Sequence, residues 1–161
     1  EWENLGFEQP TIAENAQKGI ELLNNRKGFF LMTESGKIVL VRQYRTAIDR
    51  VTVEIPAGKL ERGEDPLVCA VRELGEETGF TAGRIVPLGA YHSSPGFSSE
   101  RLYLYLALDL SRGEAHPDEG EFLDLVKLPF SELLAMVKRG EISDGKTAIA
   151  ALQAEHILAG E

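Results

Sequence analysis

Three glutamates, Glu73, Glu76 and Glu77, stand three and four residues apart within the stretch Gly58 to Phe80, GKLERGEDPLVCAVRELGEETGF. That spacing constrains this chain more than any other feature it carries. On a helix the three carboxylates share one face about a turn from one another, where like charges repel unless a cation sits among them. Glu64 stands at the start of the same segment, and Arg72 lies directly beside Glu73, where a planar guanidinium can orient a carboxylate through paired hydrogen bonds. The stretch reads as a metal site built on a helix. The plain alternative is a solvated acidic face, which has to bear the repulsion with no counter-charge.

The helix boundaries are legible from local chemistry. Glu64-Asp65-Pro66 supplies acidic residues and a first-turn proline, and Gly79 follows Thr78 as a C-terminal cap. Val68, Val71, Leu74 and Gly75 form an apolar stripe expected to pack on a sheet, with the glutamates on a different face. Before this helix, Gly28 to Thr33 and Lys37 to Arg42 are apolar runs around Glu34-Ser35-Gly36, which predicts a hairpin of antiparallel strands. Arg50 to Ile55 alternates Val51, Val53 and Ile55 with Thr52 and Glu54, a strand with Glu54 on its polar face, ended by Pro56-Ala57-Gly58. After the helix, Arg84 to His92, Leu102 to Leu110 and Phe122 to Leu128 read as strands, Ser131 to Lys138 as a helix capped by Ser131, and Lys146 to Leu158 as a second, alanine-rich helix. Thr11 to Leu23 has helical spacing weakened by Gly19. Strands grouped around helices indicate an α/β sandwich, not a regularly alternating parallel fold.

A length of 161 residues suits one domain with a sizeable core. The formal net charge of −9 argues against a nucleic-acid surface, which normally shows a basic patch. A small anionic ligand therefore needs a device such as a divalent cation to bridge it to an acidic protein. No apolar run reaches the ~20 residues that span a bilayer, and Glu1 to Pro10 lacks the pattern of a secretory signal, so the expectation is a cytoplasmic protein with no membrane partner. Cys69, the single cysteine, falls inside the helix and reads as a buried thiol. His92, His116 and His156 lack zinc-like spacing and read as structural or exposed.

From Gly58 the order is five residues, Glu64, seven residues, then Arg72-Glu73-Leu74-Gly75-Glu76-Glu77-Thr78-Gly79-Phe80. This resembles the Nudix box at every defining position. The resemblance implies an α/β/α sandwich with a mixed central sheet, hydrolysis of a nucleoside diphosphate linked to another moiety, and Mg²⁺ or Mn²⁺ as cofactor. It further implies Glu73 and Glu77 as principal metal ligands, Glu76 as ligand to a further ion, the Ala57 carbonyl as a backbone ligand, and Glu64 and Arg72 as supporting groups. Gly58 is expected to let the loop turn so that these oxygens converge.

Segments outside the box resemble bacterial ADP-ribose pyrophosphatases: Val41-Arg42-Gln43-Tyr44-Arg45, Glu54 to Glu61, Ser93 to Phe97 with Pro95 16 residues after Gly79, Asp118 to Leu123, and Asp144-Gly145-Lys146-Thr147-Ala148. For that subgroup the resemblance implies attack of water on a phosphorus of ADP-ribose, giving AMP and ribose 5-phosphate. Glu119 best matches the base that takes the water's proton, with Glu121 its near rival and a glutamate of the box as the remaining alternative. Arg45 would contact the diphosphate or terminal ribose, Glu54 ribose hydroxyls, Phe97 in the turn with Pro95 and Gly96 the ribose pocket, and Glu100 the metal and water network.

The resemblance covers residues 27–161 and leaves 1–26 as a segment of separate character. Subgroup members use such a segment in a homodimer and for adenine binding; here Trp2 or Phe7 could supply that platform, although packing is the simpler role. Two alternatives stay open beside ADP-ribose: another nucleoside-diphosphate sugar such as GDP-mannose, and a Nudix-like binding module without catalysis. Retention of Arg72, Glu73, Glu76 and Glu77 speaks against the second.

Overall fold

The computed structural model describes residues 26–34, 37–96, 98–113 and 124–159. Among the described residues seven strands and three α-helices follow one another as β1 (Arg26–Glu34), β2 (Lys37–Arg45), β3 (Arg50–Glu54), β4 (Ala57–Lys59), α1 (Pro66–Thr78), β5 (Phe80–His92), β6 (Arg101–Arg112), β7 (Asp124–Pro129), α2 (Phe130–Lys138) and α3 (Gly145–Ala159), with a short 3-10 turn at Thr46–Ile48 between β2 and β3. The helix expected within 11–23, and Trp2 and Phe7, lie outside the described residues.

One mixed sheet carries the order β3-β2-β1-β6-β5, with β4 paired to β1 and β7 to β2. The β1–β2 register, Glu34 opposite Lys37, is that of the expected antiparallel hairpin. β1 also runs parallel to β6 while β5 and β6 run antiparallel. Strand alternation sends successive side chains to opposite faces. Ile38 and Leu40 of β2, with Leu104 and Leu106 of β6, join Leu133 of α2 and Ala150 of α3 in one core. Val39 and Ala107, their neighbours in sequence, join Ala70 and Leu74 of α1 and Phe80 in another. The sheet therefore lies between α1 and the α2–α3 pair, an α/β/α sandwich. No helix of the described residues is long and apolar enough to cross a membrane.

Helix α1 begins and ends where local chemistry predicts. The Asp65 carboxylate accepts from the Leu67 and Val68 N–H groups at 2.9 and 3.3 Å, Pro66 opens the first turn, and Gly79 closes the helix at φ 70°. Its inward face, however, is not the predicted stripe. Cys69, Ala70 and Leu74 are buried together with Glu77, whereas Val68 and Val71 are 58% and 46% exposed. The helix is turned by about one residue, ~100°, from the apolar expectation. Small Cys69 and Ala70 let it approach the sheet closely, and the turn carries Glu77 inward, so core and polar chemistry share a face.

Two other local expectations change, at 57–59 and at the start of α2. Residues 57–59 do not end in a turn but form β4 against β1, with Gly58 opposite Gly28. On β3 the expected alternation holds, and its polar face is buried at Thr52 and Glu54 while Val51 is exposed. Helix α2 starts at Phe130 with Pro129 at its cap position, which places Ser131 inside the first turn with no capping bond. Helix α3 instead has a side-chain cap: Asp144 Oδ2 accepts from the Thr147 N–H at 3.0 Å.

Asp65→Ala removes the acceptor for two orphan N–H groups, and an N-cap of this kind stabilises by about 1 kcal/mol. Urea unfolding is expected to show that loss as a lower midpoint with an unchanged slope.

Candidate active site

A cavity of about 980 Å³ opens where the end of α1, β3, β4, the ends of β2 and β5, and the start of α3 meet. Glu73 and Glu77 line one side; Arg45, Glu54, Asp144 and Lys146 line another.

The α1 wall is organised by Arg72. Its Nη1 donates to Glu73 Oε1 at 2.8 Å and to Glu76 Oε2 at 2.9 Å. Its Nε and Nη2 donate to the two Glu64 oxygens at 3.1 and 3.2 Å, and Nη2 also reaches the Lys59 carbonyl at 3.3 Å. One guanidinium thus supplies the counter-charge for three of the four box glutamates. Glu64, which also accepts from the Glu61 N–H at 2.8 Å, is held below the usual carboxylate range, chiefly by the Arg72 hydrogen bonds. Arg72 is correspondingly pushed up, first by Glu64, against the opposing effect of burial.

Gly58 brings β4 and α1 together. A Cβ at that position would lie 1.7 Å from Cδ and 1.9 Å from Oε1 of Glu73. The glycine is therefore needed for space, since its φ is not positive; the expected loop turn is replaced by a strand over which the Glu73 carboxylate lies. Next to it, Glu77 Oε2 accepts from the Ala57 N–H at 3.1 Å, tying the helix to the same strand.

The opposite wall is a buried charge cluster. Arg45 Nε and Nη2 donate to the two oxygens of Glu54 at 2.7 and 2.6 Å, the bidentate geometry favoured by guanidinium. Thr52 Oγ1 donates to Glu54 Oε1 and Lys146 Nζ to Oε2. Lys146 also donates to Asp144 Oδ1 at 2.8 Å, and Thr147 Oγ1 to Asp144 Oδ2 and the Ile55 N–H to Thr147 Oγ1, the last at 2.9 Å. Burial pushes the Glu54 carboxyl up, but the Arg45 hydrogen bonds, the Lys146 charge and the Thr52 hydroxyl outweigh it and bring it down to about 2.

Residues 25–150 match the family described as the NUDIX domain. The chain belongs to the Nudix family. It is 49% identical over 121 residues to the methanol dehydrogenase activator of Bacillus methanolicus and 43% identical over 121 residues to the ADP-ribose pyrophosphatase of Bacillus subtilis strain 168, in each case across 74% of this chain and 65% of the relative. A GDP-mannose pyrophosphatase of Enterobacter sp. strain 638 is 38% identical over 125 residues, 72% of this chain and 65% of the relative. The chain thus spans about two thirds of the length of these relatives, slightly under it. Among solved structures, one described as an ADP compounds hydrolase superposes with a TM-score of 0.77 over 85% of this chain and 74% of the other at 23% identity, a likeness of fold.

The Nudix box residues separate into two groups. Ala57, Gly58, Arg72, Glu73 and Glu77 line the cavity, while Glu64 and Glu76 reach Arg72 from outside its lining. Glu100 and Arg45 line it too, as does His92, which the sequence leaves structural or exposed. Pro95 and Gly96 sit in an exposed turn apart from the lining, and Phe97, Glu119 and Glu121 lie outside the described residues.

The donors suit a hard divalent cation in kind. Glu73 and Glu77 present carboxylate oxygens to the cavity, and only a glycine at 58 leaves room for the first. They do not form a closed cage: among the described residues no three His, Cys, Asp or Glu side chains group as ligands. Such an arrangement fits an ion held by one or two carboxylates, with water and substrate oxygens completing its shell, as Mg²⁺ prefers.

Lys146, Asp144, Thr52 and Thr147 are site residues to which sequence reasoning gives no role. For Asp144, Lys146 and Thr147 the signal is an Asp-Gly-Lys-Thr run at a helix start, where the aspartate caps and the lysine follows in the first turn; for Thr52 it is the polar face of β3 shared with Glu54.

The Glu54 cluster predicts a pH dependence. Because the folded carboxyl titrates below its ordinary 4.5, the folded state binds that proton less readily than the unfolded chain. Its stabilisation is full above about 4.5 and lost as pH falls to about 2. Comparing wild type with Glu54→Gln by denaturant unfolding, the stability gap is expected to be widest above pH ~5 and to shrink steadily through that acid window.

Proposed function

We propose that this Nudix protein hydrolyses the diphosphate of ADP-ribose or a related ADP-sugar to AMP and a sugar phosphate. The observation that carries the reading is one cavity with paired carboxylates Glu73 and Glu77 on one wall and Arg45 with Lys146 on another. A nucleoside diphosphate derivative needs both: oxygen ligands for a cation that neutralises its phosphates, and donors that orient it. The 43% identical relative is an ADP-ribose pyrophosphatase, which favours that substrate. The GDP-mannose pyrophosphatases among the relatives favour a second reading with the same chemistry and another base and sugar.

In this reading Glu73, Glu77 and the Ala57 carbonyl hold Mg²⁺ or Mn²⁺, with Glu76 available to a further ion. The bound ion supplies charge neutralisation at the phosphate oxygens and a lowered pKa for water. The chain's own residues do the rest. Arg72 keeps Glu73 oriented on α1 and restrains the repulsion among the glutamates. Glu77, anchored by the Ala57 N–H, holds helix and strand at a fixed separation. Arg45 holds a phosphate oxygen or the terminal ribose, Glu100, which lines the cavity, supports the metal and its water, and Glu119 takes the proton of the attacking water, with Glu121 as the competing base. We place the protein in the cytoplasm as a homodimer; the exposed apolar side chains Tyr44, Ile48 and Val51 on β2 and β3 and the turn between them support a subunit contact.

A panel of nucleoside diphosphate derivatives with Mg²⁺, resolved by chromatography, is expected to yield AMP and ribose 5-phosphate from ADP-ribose faster than any product from GDP-mannose. Preference for GDP-mannose would transfer the assignment to the second reading. In the same assay Gly58→Ala, whose methyl group would displace Glu73, is expected to lower turnover by about 10² or more while the far-ultraviolet circular dichroism is unchanged; wild-type rates would remove Glu73 from the site.

A further inference from the structure

A carboxylate offers about four acceptor positions, and Glu54 has filled them all. Oε1 receives Arg45 Nε and Thr52 Oγ1, and Oε2 receives Arg45 Nη2 and Lys146 Nζ. The side chain is 3% exposed. Nothing remains with which it can accept a ribose hydroxyl, the role that resemblance gives it. Arg45 is in the opposite condition. Its side chain is 37% exposed at the cavity, and with Nε and Nη2 committed to Glu54, Nη1 has no partner among the described residues.

The cluster is also costly in the absence of its partners. A buried carboxylate is tolerated only when paired and hydrogen-bonded, and here the second cation comes from a distant part of the chain. Lys146 is itself 10% exposed and lies 92 residues beyond Glu54, in the first turn of α3. Asp144 both caps that helix and holds Lys146, so the start of α3 is registered against β3 through the Lys146–Glu54 pair together with the Ile55 N–H to Thr147 bond. Two acids, Glu54 and Asp144, face two bases, Arg45 and Lys146, leaving the wall electrically balanced with one guanidinium edge turned to a ligand.

We propose that Glu54 is a positioning residue, and not a substrate ligand: it fixes Arg45 in the orientation that meets a substrate phosphate, and Lys146 is the internal counter-charge that keeps it buried and fixed. The proposal rests on the diphosphate reading of the cavity. It assigns Lys146 a role at the site although its ammonium faces two carboxylates of the protein.

A double-mutant cycle separates positioning from direct contact. Arg45→Ala and Glu54→Gln are each expected to raise KM for ADP-ribose about tenfold or more with kcat within about threefold of wild type, the pattern of lost binding. Combined, they are expected to give the KM of Arg45→Ala alone, because Glu54 acts only through that arginine. Lys146→Met is expected to raise KM likewise, with Lys146→Arg recovering most of it. If Glu54→Gln does not fold, the charge-balanced pair Glu54→Gln with Lys146→Met is measured with and without Arg45→Ala to the same end. Penalties that multiply in the cycle would show that Glu54 touches substrate itself and overturn the proposal, as would an unchanged KM accompanied by a lowered Tm. A wild type inert toward the whole nucleotide panel would overturn the substrate reading and this proposal together, an outcome distinct from an active wild type with multiplying penalties.

Discussion

The hydrogen bonds of a single guanidinium make the α1 wall possible. Glu64, Glu73 and Glu76 come from two turns of one helix and the loop before it, and their charges repel at this spacing. Arg72 answers all three, because its donors are arranged as a rigid fork that can serve several oxygens at once. A lysine, with one ammonium on a flexible stem, could neutralise part of that charge but could not fix three carboxylates in a set geometry. The remaining glutamate, Glu77, is held differently, by a backbone N–H of β4. The two α1 glutamates that reach the cavity are thus anchored from opposite sides, one by side-chain charge and one by the sheet.

That anchoring explains how the helix sits. A purely hydrophobic docking would bury Val68 and Val71, yet both are exposed. Instead Leu74 and the small residue Ala70 form the contact, with Cys69 also buried, which lets α1 lie close to the sheet and brings Glu73 over Gly58. Removing two valines from the core forgoes roughly 1.5–3 kcal/mol apiece of burial at most. The polar arrangement is purchased at that cost, and the larger core on the other face, around Leu104, Leu106 and Leu133, supplies the stability that the α1 side gives up.

Much of the fold was legible because it depends on local signals. Asp65, Pro66 and Gly79 mark the ends of α1, and the runs around 34–37 mark a hairpin, each through backbone chemistry acting within a few residues. The errors arise where tertiary contact overrides local pattern. Alternation on β3 revealed a polar face but not its direction, which depends on partners distant in sequence: Arg45 of β2 and Lys146 of α3 meet Glu54 on the buried side. The apolar stripe on α1 failed for the same kind of reason, because close approach at Gly58 ranks above the burial of two valines. Glu73, Glu77 and Arg72 could be read from spacing alone, since like charges in register demand a partner. Lys146 and Asp144 could not, as a capping aspartate followed by a lysine is an ordinary helix start until its neighbour in space is known.

The charge balance of the two walls bears on how an acidic chain accepts an anion. With a formal charge of −9 the protein repels a diphosphate at long range, although screening at physiological salt limits that repulsion to about 8 Å. Inside the cavity the cationic wall gives little net attraction, since Arg45 and Lys146 are matched by Glu54 and Asp144. Their value is geometric: a matched guanidinium is stationary, and a stationary donor orients a phosphate without paying to be ordered at the moment of binding. Net attraction has to come from the other wall, where the carboxylates of Glu64, Glu73, Glu76 and Glu77 outnumber the one guanidinium of Arg72 and a cation would offset the difference. In the proposed reading the two walls therefore divide the work, α1 holding the charge that binds and β3 with α3 holding the direction in which the substrate lies.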